Sequence, residues 1–229
     1  MNIITKQDFD SKIFGVDYYR IQSSDIERIK KELAAVKVIN PVMIDTKIAA
    51  SEKELDRYLQ SEDFRKVCMQ IELECFPVDA DDSGFPKHIV ITDHIELDDK
   101  LIQEHSENFL YDRFSLDCRI EKSKRDLLYS TWVKNSLLDK NILKAHIGSN
   151  FVSFRQQGEI IKLDLSSVLE KGIGVGSSLL KRIKWYAKQN GKKRILVVTE
   201  CENVDAVRFY MANGFRLVGF YSCFHFSSF

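Results

Sequence analysis

Three glycines alternate along one short segment, at Gly172, Gly174 and Gly176, directly before a stretch with the spacing of an amphipathic helix. Glycine adopts positive φ angles readily and lets backbone N–H groups approach a ligand closely. A helix that begins here adds unpaired N–H groups and the positive end of its dipole. The combination favours a bound phosphate or pyrophosphate. The same glycines could also form a connection without a ligand, so the neighbouring residues must decide.

Three classes of phosphate-binding loop compete for this segment. The loop of nucleoside triphosphatases needs Gly-Lys-Ser/Thr, whereas serine follows Gly176 directly. A dinucleotide fold prefers GxGxxG and would have Ser177 at the last position. The loop also looks like that of S-adenosylmethionine-dependent methyltransferases, with Glu200 ending the next predicted strand, where ribose would be held. Both of these folds need several more parallel strands, and only 29 residues follow Glu200.

A second candidate for chemistry is Tyr210, in a predicted helix over residues 204–212. A phenol, with an ordinary pKa of about 10, is protonated at neutral pH and suited to donating a proton. Asn203 stands just before the helix and is a favoured residue for capping it. The alternative for Tyr210 is simple packing beside Phe209 and Phe215.

Together these segments resemble two motifs of the GNAT superfamily of N-acetyltransferases. Lys171-x-x-Gly174-x-Gly176 is similar to its Arg/Gln-x-x-Gly-x-Gly/Ala loop, and residues 203–215 are similar to its Asn-x-x-Ala-x-x-x-Tyr-x-x-x-Gly-Phe segment. The resemblance covers roughly residue 86 to the C-terminus. It implies an α/β fold with a mixed central sheet flanked by helices. It also implies transfer of an acetyl group from acetyl-CoA to a primary amine.

The resemblance further implies roles for single residues. Tyr210 would donate a proton to the departing coenzyme A sulfur. The pantetheine would lie along the strand that ends near residue 168, and the pyrophosphate on the N–H groups of the glycine loop. The residues implied for cofactor binding are Ser166, Ser167, Val168, Lys171, Gly172, Ile173, Gly174, Val175, Gly176, Ser177 and Asn203.

Shorter segments are similar to dTDP-fucosamine acetyltransferases, bacterial enzymes that acetylate a nucleotide-linked 4-amino-4,6-dideoxyhexose for surface polysaccharide. The segments are Phe14-Gly-Val, residues 47–51, Arg113-Phe114, and the helix with Tyr129 and Trp132. The resemblance implies a dTDP-4-amino-4,6-dideoxyhexose as acceptor. Arg113 would meet its diphosphate, and Phe114, Tyr129 and Trp132 its base or sugar face.

Several alternatives stay open at this point. Tyr129 and Trp132 could pack in the core instead. The acceptor could be a polyamine, an antibiotic or a protein terminus, and the chain could be a non-catalytic acyl-CoA-binding protein or a methyltransferase. Glu200, Glu202 and His146 are candidates for the general base, but a solvated loop or strand-end position is the favoured interpretation for each.

The composition limits the partners and the cellular location that we expect. Lys plus Arg and Asp plus Glu number 34 each, so no global charge favours nucleic acid or an anionic membrane. No apolar stretch approaches the ~20 residues that span a bilayer, and the N-terminus lacks the pattern of a signal peptide. The five cysteines are scattered without a CxxC pair. We therefore expect a cytoplasmic protein without a metal site, open to forming a homodimer.

The elements that must position these residues form two regions. A proline-, glycine- and acid-rich segment at 77–86 predicts a boundary between a small N-terminal αβ domain, residues 1–80, and a GNAT domain, residues 86–229. In the first, we predict strands at 18–21, 42–48 and 64–73, with serine-capped helices at 24–36 and 51–60. In the second, the order α-α-β-β-β-α-β-α-β(β) ends in two strands at 215–220 and 222–226.

Overall fold

The computed structural model describes residues 2–77 and 88–229, in which ten strands and seven helices form. The strands are β1 (Ile4–Lys6), β2 (Asp17–Ile21), β3 (Val42–Ala49), β4 (Arg65–Cys75), β5 (Val90–Thr92), β6 (Leu143–Ile147), β7 (Asn150–Gln157), β8 (Ile160–Ser167), β9 (Arg194–Glu200) and β10 (Arg216–Ser227). The helices are α1 (Asp8–Phe14), α2 (Ile26–Lys37), α3 (Lys53–Ser61), α4 (Asp99–Ser106), α5 (Lys122–Leu138), α6 (Val175–Gln189) and α7 (Val204–Ala212).

All ten strands belong to one mixed sheet, in the order β1-β2-β3-β10-β4-β9-β8-β7-β6-β5. Two neighbouring pairs, β2 with β3 and β8 with β9, run parallel, and the others are antiparallel. Strand β10 pairs with β3 on one side and β4 on the other, so strands from both predicted domains share one sheet. The division into residues 1–80 and 86–229 stays a prediction, because most of the boundary segment lies outside the described residues.

Helices cover both faces of the sheet. The side chains of Ser166 and Ser167 point to opposite faces, as neighbours in a strand do. Ser166 contacts Tyr210 of α7, and Ser167 contacts His105 of α4. Helices α6 and α7 therefore bury one apolar cluster on the first face, whereas α4 and α5 bury others on the second.

Most elements form where the sequence pattern predicts them, and the exceptions have physical reasons. The expected serine caps are wrong, because Asp25 caps α2 through the Arg28 N–H and α3 begins after Glu52 without a side-chain cap. The two strands expected at the C-terminus are one strand, β10, in which bulges at 217–219 and 223–224 interrupt the alternation. Strand β1 and helix α1 were not predicted, since three and seven residues carry little periodicity.

Candidate active site

The central feature is a gap between two parallel strands. Strands β8 and β9 pair only where residues 160–162 meet residues 194–196, and they separate after that point. A register shift in the β7–β8 pair, between Val152 and Phe154, adds a bulge to the same part of β8. Within the described residues, the edge of β8 after Lys162 has no strand partner towards β9. This edge therefore offers backbone N–H and C=O groups to an extended ligand.

A cavity of about 370 Å³ occupies the gap and continues onto the second face of the sheet. The sequence-predicted residues that line it are Ser166, Asn203, Tyr210, Arg113, Phe114, Tyr129 and Trp132. The structure thus brings the predicted proton donor and the predicted acceptor residues to one cavity. The others lie at the end of β8 and the start of α6, outside the cavity lining: Ser167, Val168, Lys171, Gly172, Ile173, Gly174, Val175, Gly176 and Ser177.

A second, more open depression of about 760 Å³ lies at the other ends of β8 and β9. Its lining includes Phe76, Glu159 and Lys192. No residue of either sequence motif reaches it, so its size does not make it the better candidate.

Tyr210 is buried and hydrogen-bonded at the cavity wall. Its hydroxyl donates to Ser166 Oγ at 3.0 Å, while Phe209 and Phe215 contact its ring edge-on. Burial raises the pKa of Tyr210 above its ordinary value, and the bond to Ser166 offsets only part of this. The ring therefore packs in the core while the hydroxyl lies at the cavity, and the role of proton donor stays a prediction.

Asn203 holds the start of the helix that carries Tyr210. Its Oδ1 accepts a hydrogen bond from the Ala206 N–H at 3.2 Å, and α7 begins at the next residue, Val204. The predicted cap is confirmed.

The three loop glycines serve different purposes. Gly172 and Gly174 have φ angles of +82° and +86°, and nothing lies within 4 Å of a Cβ added to either. Their conformation, not crowding, requires glycine. At Gly176 a Cβ would come within 3.1 Å of the Phe209 ring, so this glycine allows α6 and α7 to pack closely. Gly174 directly precedes α6, and the first N–H groups of that helix are able to hold a phosphate.

Two polar residues that the sequence did not reveal fix the end of β8. Asn150 Oδ1 accepts from the Leu169 N–H at 2.8 Å, and its amide donates to Glu170, which anchors the entrance of the glycine loop. On the second face, buried His105 contacts Ser167 Oγ through Nδ1 at 2.7 Å. The Ser167 side chain is therefore already hydrogen-bonded on the second face.

Arg113 reaches the cavity from the segment between α4 and α5, but its charge is shared. One guanidinium nitrogen lies 3.2 Å from Asp45 Oδ2. Asp45 is buried and also accepts two bonds of 2.8 Å from Arg20. Burial alone would raise the pKa of Asp45, yet the two arginines outweigh it and lower the pKa. Arg113 and Arg20 thus share the one negative charge of Asp45.

The predicted aromatic residues belong to the cavity and the core together. Phe109 stacks on Tyr129 with ring centroids 4.8 Å apart, and Tyr129 stacks on Trp132 at 5.8 Å. Tyr129 and Phe114 are buried in the cluster beneath α5, while Trp132 is partly exposed. At these positions a side chain therefore packs in the core and also lines the cavity.

Glu200 ends β9 at the cavity wall, where Gln70 donates to its Oε1 at 2.9 Å. Burial raises the pKa of Glu200, and the negative charge of Asp112 raises it further. Glu200 is half-buried at the strand end that the sequence predicts, and it lines the cavity. Glu202 is exposed and His146 lies on β6, and neither lines the cavity.

Comparison with known proteins shows which family has this sequence pattern and this fold. Residues 99–215 match the model of the acetyltransferase (GNAT) family. A GCN5-related N-acetyltransferase of Sphaerobacter thermophilus has the same fold, with a TM-score of 0.59 at 12% identity over 98% of this chain and 76% of that one. A GCN5-related N-acetyltransferase from Kribbella flavida gives a TM-score of 0.56 at 10% identity, over 98% of this chain and 86% of that one. A fungal glucosamine N-acetyltransferase region gives a TM-score of 0.56 at 12% identity, over 97% of this chain and 30% of that one.

No curated protein matches the chain in a sequence comparison. The matched segment is more than half of the 229 residues and contains the glycine loop, Asn203 and Tyr210. The chain belongs to the GNAT family and is an acetyl-CoA-dependent N-acetyltransferase with the α/β fold of that family. The match decides against the methyltransferase alternative.

Two further observations concern residues 2–77 and 88–229 only. No helix there is both long and apolar enough to cross a membrane. No group of three or more His, Cys, Asp or Glu side chains there could hold a metal ion.

Proposed function

We propose that the enzyme acetylates the amine of a nucleotide-linked amino sugar, of the dTDP-4-amino-4,6-dideoxyhexose class. The observation that carries the proposal is the single cavity that joins Tyr210 and Glu200 to aromatic and cationic side chains on the second face of the sheet. The stack of Phe109, Tyr129 and Trp132 suits a sugar or base face. The GNAT fold of the fungal glucosamine N-acetyltransferase region shows that this architecture can accept an amino sugar.

In this proposal acetyl-CoA supplies the activated acetyl group. Its pantetheine pairs with the open edge of β8 at Ser166–Val168, and its pyrophosphate binds the N–H groups of residues 171–177. The unpaired edge and the positive φ angles of Gly172 and Gly174 support this placement. Asn203 faces the same cofactor from the start of α7.

The proposed proton donor is Tyr210. Its raised pKa keeps the phenol protonated at neutral pH, and Ser166 fixes the direction of the hydroxyl. A thiolate leaving the site therefore meets a positioned acid.

The proposed base is Glu200, which accepts a proton from the amine directly or through a water molecule. A raised pKa moves a carboxylate towards the range in which a general base works well. Gln70 holds one oxygen and leaves the other for the acceptor.

This assignment predicts a pH dependence. Glu200 acts as a base only when it is ionised, so kcat/KM should rise with pH through its raised pKa. Glu200→Gln should lose this acidic limb and lower kcat/KM by ~10²-fold. The measurement is kcat/KM against pH, with Glu202→Gln as the control for an exposed acid nearby. An unchanged acidic limb in the Glu200 variant would transfer the role to another group.

The acceptor class is tested with a substrate panel. We expect acetyl-CoA-dependent acetylation of dTDP-4-amino-4,6-dideoxyhexoses, detected by mass spectrometry and by release of free thiol. Arg113→Ala should raise the KM for the nucleotide sugar more than that for acetyl-CoA. Turnover of polyamines without turnover of any amino sugar nucleotide would refute the proposal.

A further inference from the structure

Two lysines of the cavity wall, Lys47 on β3 and Lys162 on β8, stand apart from the other cations there. Neither forms an ion pair with a carboxylate in the described parts of the chain, whereas Arg113 is bound to Asp45. Lys47 lies over the Tyr221 ring, 4.6 Å from its centroid. The cavity therefore contains two ammonium groups whose charge is available to a ligand.

Three cationic side chains, Lys47, Lys162 and Arg113, line this one cavity. Burial lowers the pKa of Lys47, and the nearby charges of Lys162 and Arg113 lower it further, while Cys223 and Glu72 act in the opposite direction. Glu72 itself accepts a hydrogen bond from the Tyr221 hydroxyl at 3.2 Å. The like charges thus lie close enough to repel one another, and an anion placed between them would relieve that repulsion.

Three carboxylates, Glu200, Asp112 and Asp164, line the same cavity, and the positive charge of Lys162 acts on Asp164. Glu200 and Asp112 are close enough for Asp112 to raise the pKa of Glu200. An acceptor with an amine for Glu200 and an anionic group for the two lysines would meet a group of opposite charge at each end.

We propose that Lys47 and Lys162 bind the diphosphate of the acceptor, and that this contact selects nucleotide-linked amines. The inference rests on the proposed function, because it gives a binding site to one part of the proposed acceptor. Lysine binds phosphate as a compact point charge without the bidentate geometry of arginine. The two lysines add their charge to that of Arg113, which shares Asp45 with Arg20.

Binding of dTDP, the nucleotide without the sugar, tests the proposal by calorimetry. The enzyme is first saturated with coenzyme A, so that the glycine loop is not available to the diphosphate. The variants are Lys47→Ala, Lys162→Ala and the double substitution. The control is Lys31→Ala with Lys140→Ala, which removes two exposed lysines outside the cavity.

We expect the double substitution to weaken dTDP binding at least tenfold and to reduce its dependence on salt, with no change in the control. Equal affinity for dTDP and thymidine, or unchanged dTDP affinity in the double variant, would overturn the proposal. The readout needs no acetyl transfer. Lysine-dependent dTDP binding without acetylation of any amino sugar nucleotide would refute the proposed function alone. Acetylation with unchanged dTDP affinity in the double variant would refute the anion site alone.

Discussion

Tyr210→Phe is expected to lower kcat by ~10²–10⁴-fold, the range for losing a positioned acid. The substitution keeps the ring, which packs against Phe209 and Phe215, and removes only the hydroxyl that donates to Ser166. The dissociation constant of acetyl-CoA should change little, because the hydroxyl acts mainly as charge develops on the sulfur. Loss of one neutral hydrogen bond should lower the free energy of unfolding by only about 1 kcal/mol.

The measurements are kcat under conditions in which chemistry limits the rate, acetyl-CoA affinity, and thermal stability. Tyr186→Phe is the matched control, since its hydroxyl also has one side-chain partner, Gln156, at 3.2 Å. A kcat for the Tyr210 variant within about threefold of the wild type would leave Tyr210 with a packing role.

Gly174→Val is expected to raise the dissociation constant of acetyl-CoA at least 100-fold. Gly174 has a φ of +86°, which a β-branched residue strongly disfavours, so the turn before α6 must change. That change moves the first N–H groups of the helix, which the proposed function gives to the pyrophosphate. Because nothing lies within 4 Å of the added Cβ, the rest of the fold has room for the side chain.

Gly158→Val is the matched control for this experiment. Gly158 has a φ of +55° and open space around its Cβ, but it lies between β7 and β8, outside the glycine loop. Both variants should lose comparable stability, by about 1–2 kcal/mol, and only the Gly174 variant should lose acetyl-CoA affinity. Equal affinities in calorimetry would place the pyrophosphate elsewhere. Gly176→Val is a less specific test, since its Cβ would press on Phe209.

The parts of the site that the sequence predicts are local in the chain. The glycine loop, the Asn203 cap and Tyr210 lie in consecutive elements whose spacing is visible without a structure. The glycines and Asn203 also have a backbone or capping requirement that restricts the residue type. The same reasoning predicts α7 with its observed bounds.

The remaining parts depend on distant segments. Asp45 on β3 forms an ion pair with Arg113, which follows α4, and no periodicity links the two positions. Lys47 and Lys162 share the cavity although 115 positions separate them. Glu200 looks like a solvated strand end, and only the fold shows it half-buried at a cavity and bonded to Gln70. Long-range pairing of polar side chains in this way leaves no signal in a single sequence.

The position of β10 has a consequence for synthesis on the ribosome. Strands β3 and β4 are consecutive in the chain, yet the strand that lies between them is the last to be made. Until β10 is made, β3 and β4 lack the strand that lies between them. The edge of each strand that faces this gap is then open to pairing with other molecules. Such non-local pairing is slow and exposes the chain to aggregation. The wall of the cavity that Lys47 provides therefore joins the rest only after β10 has been made and links β3 to the remaining strands.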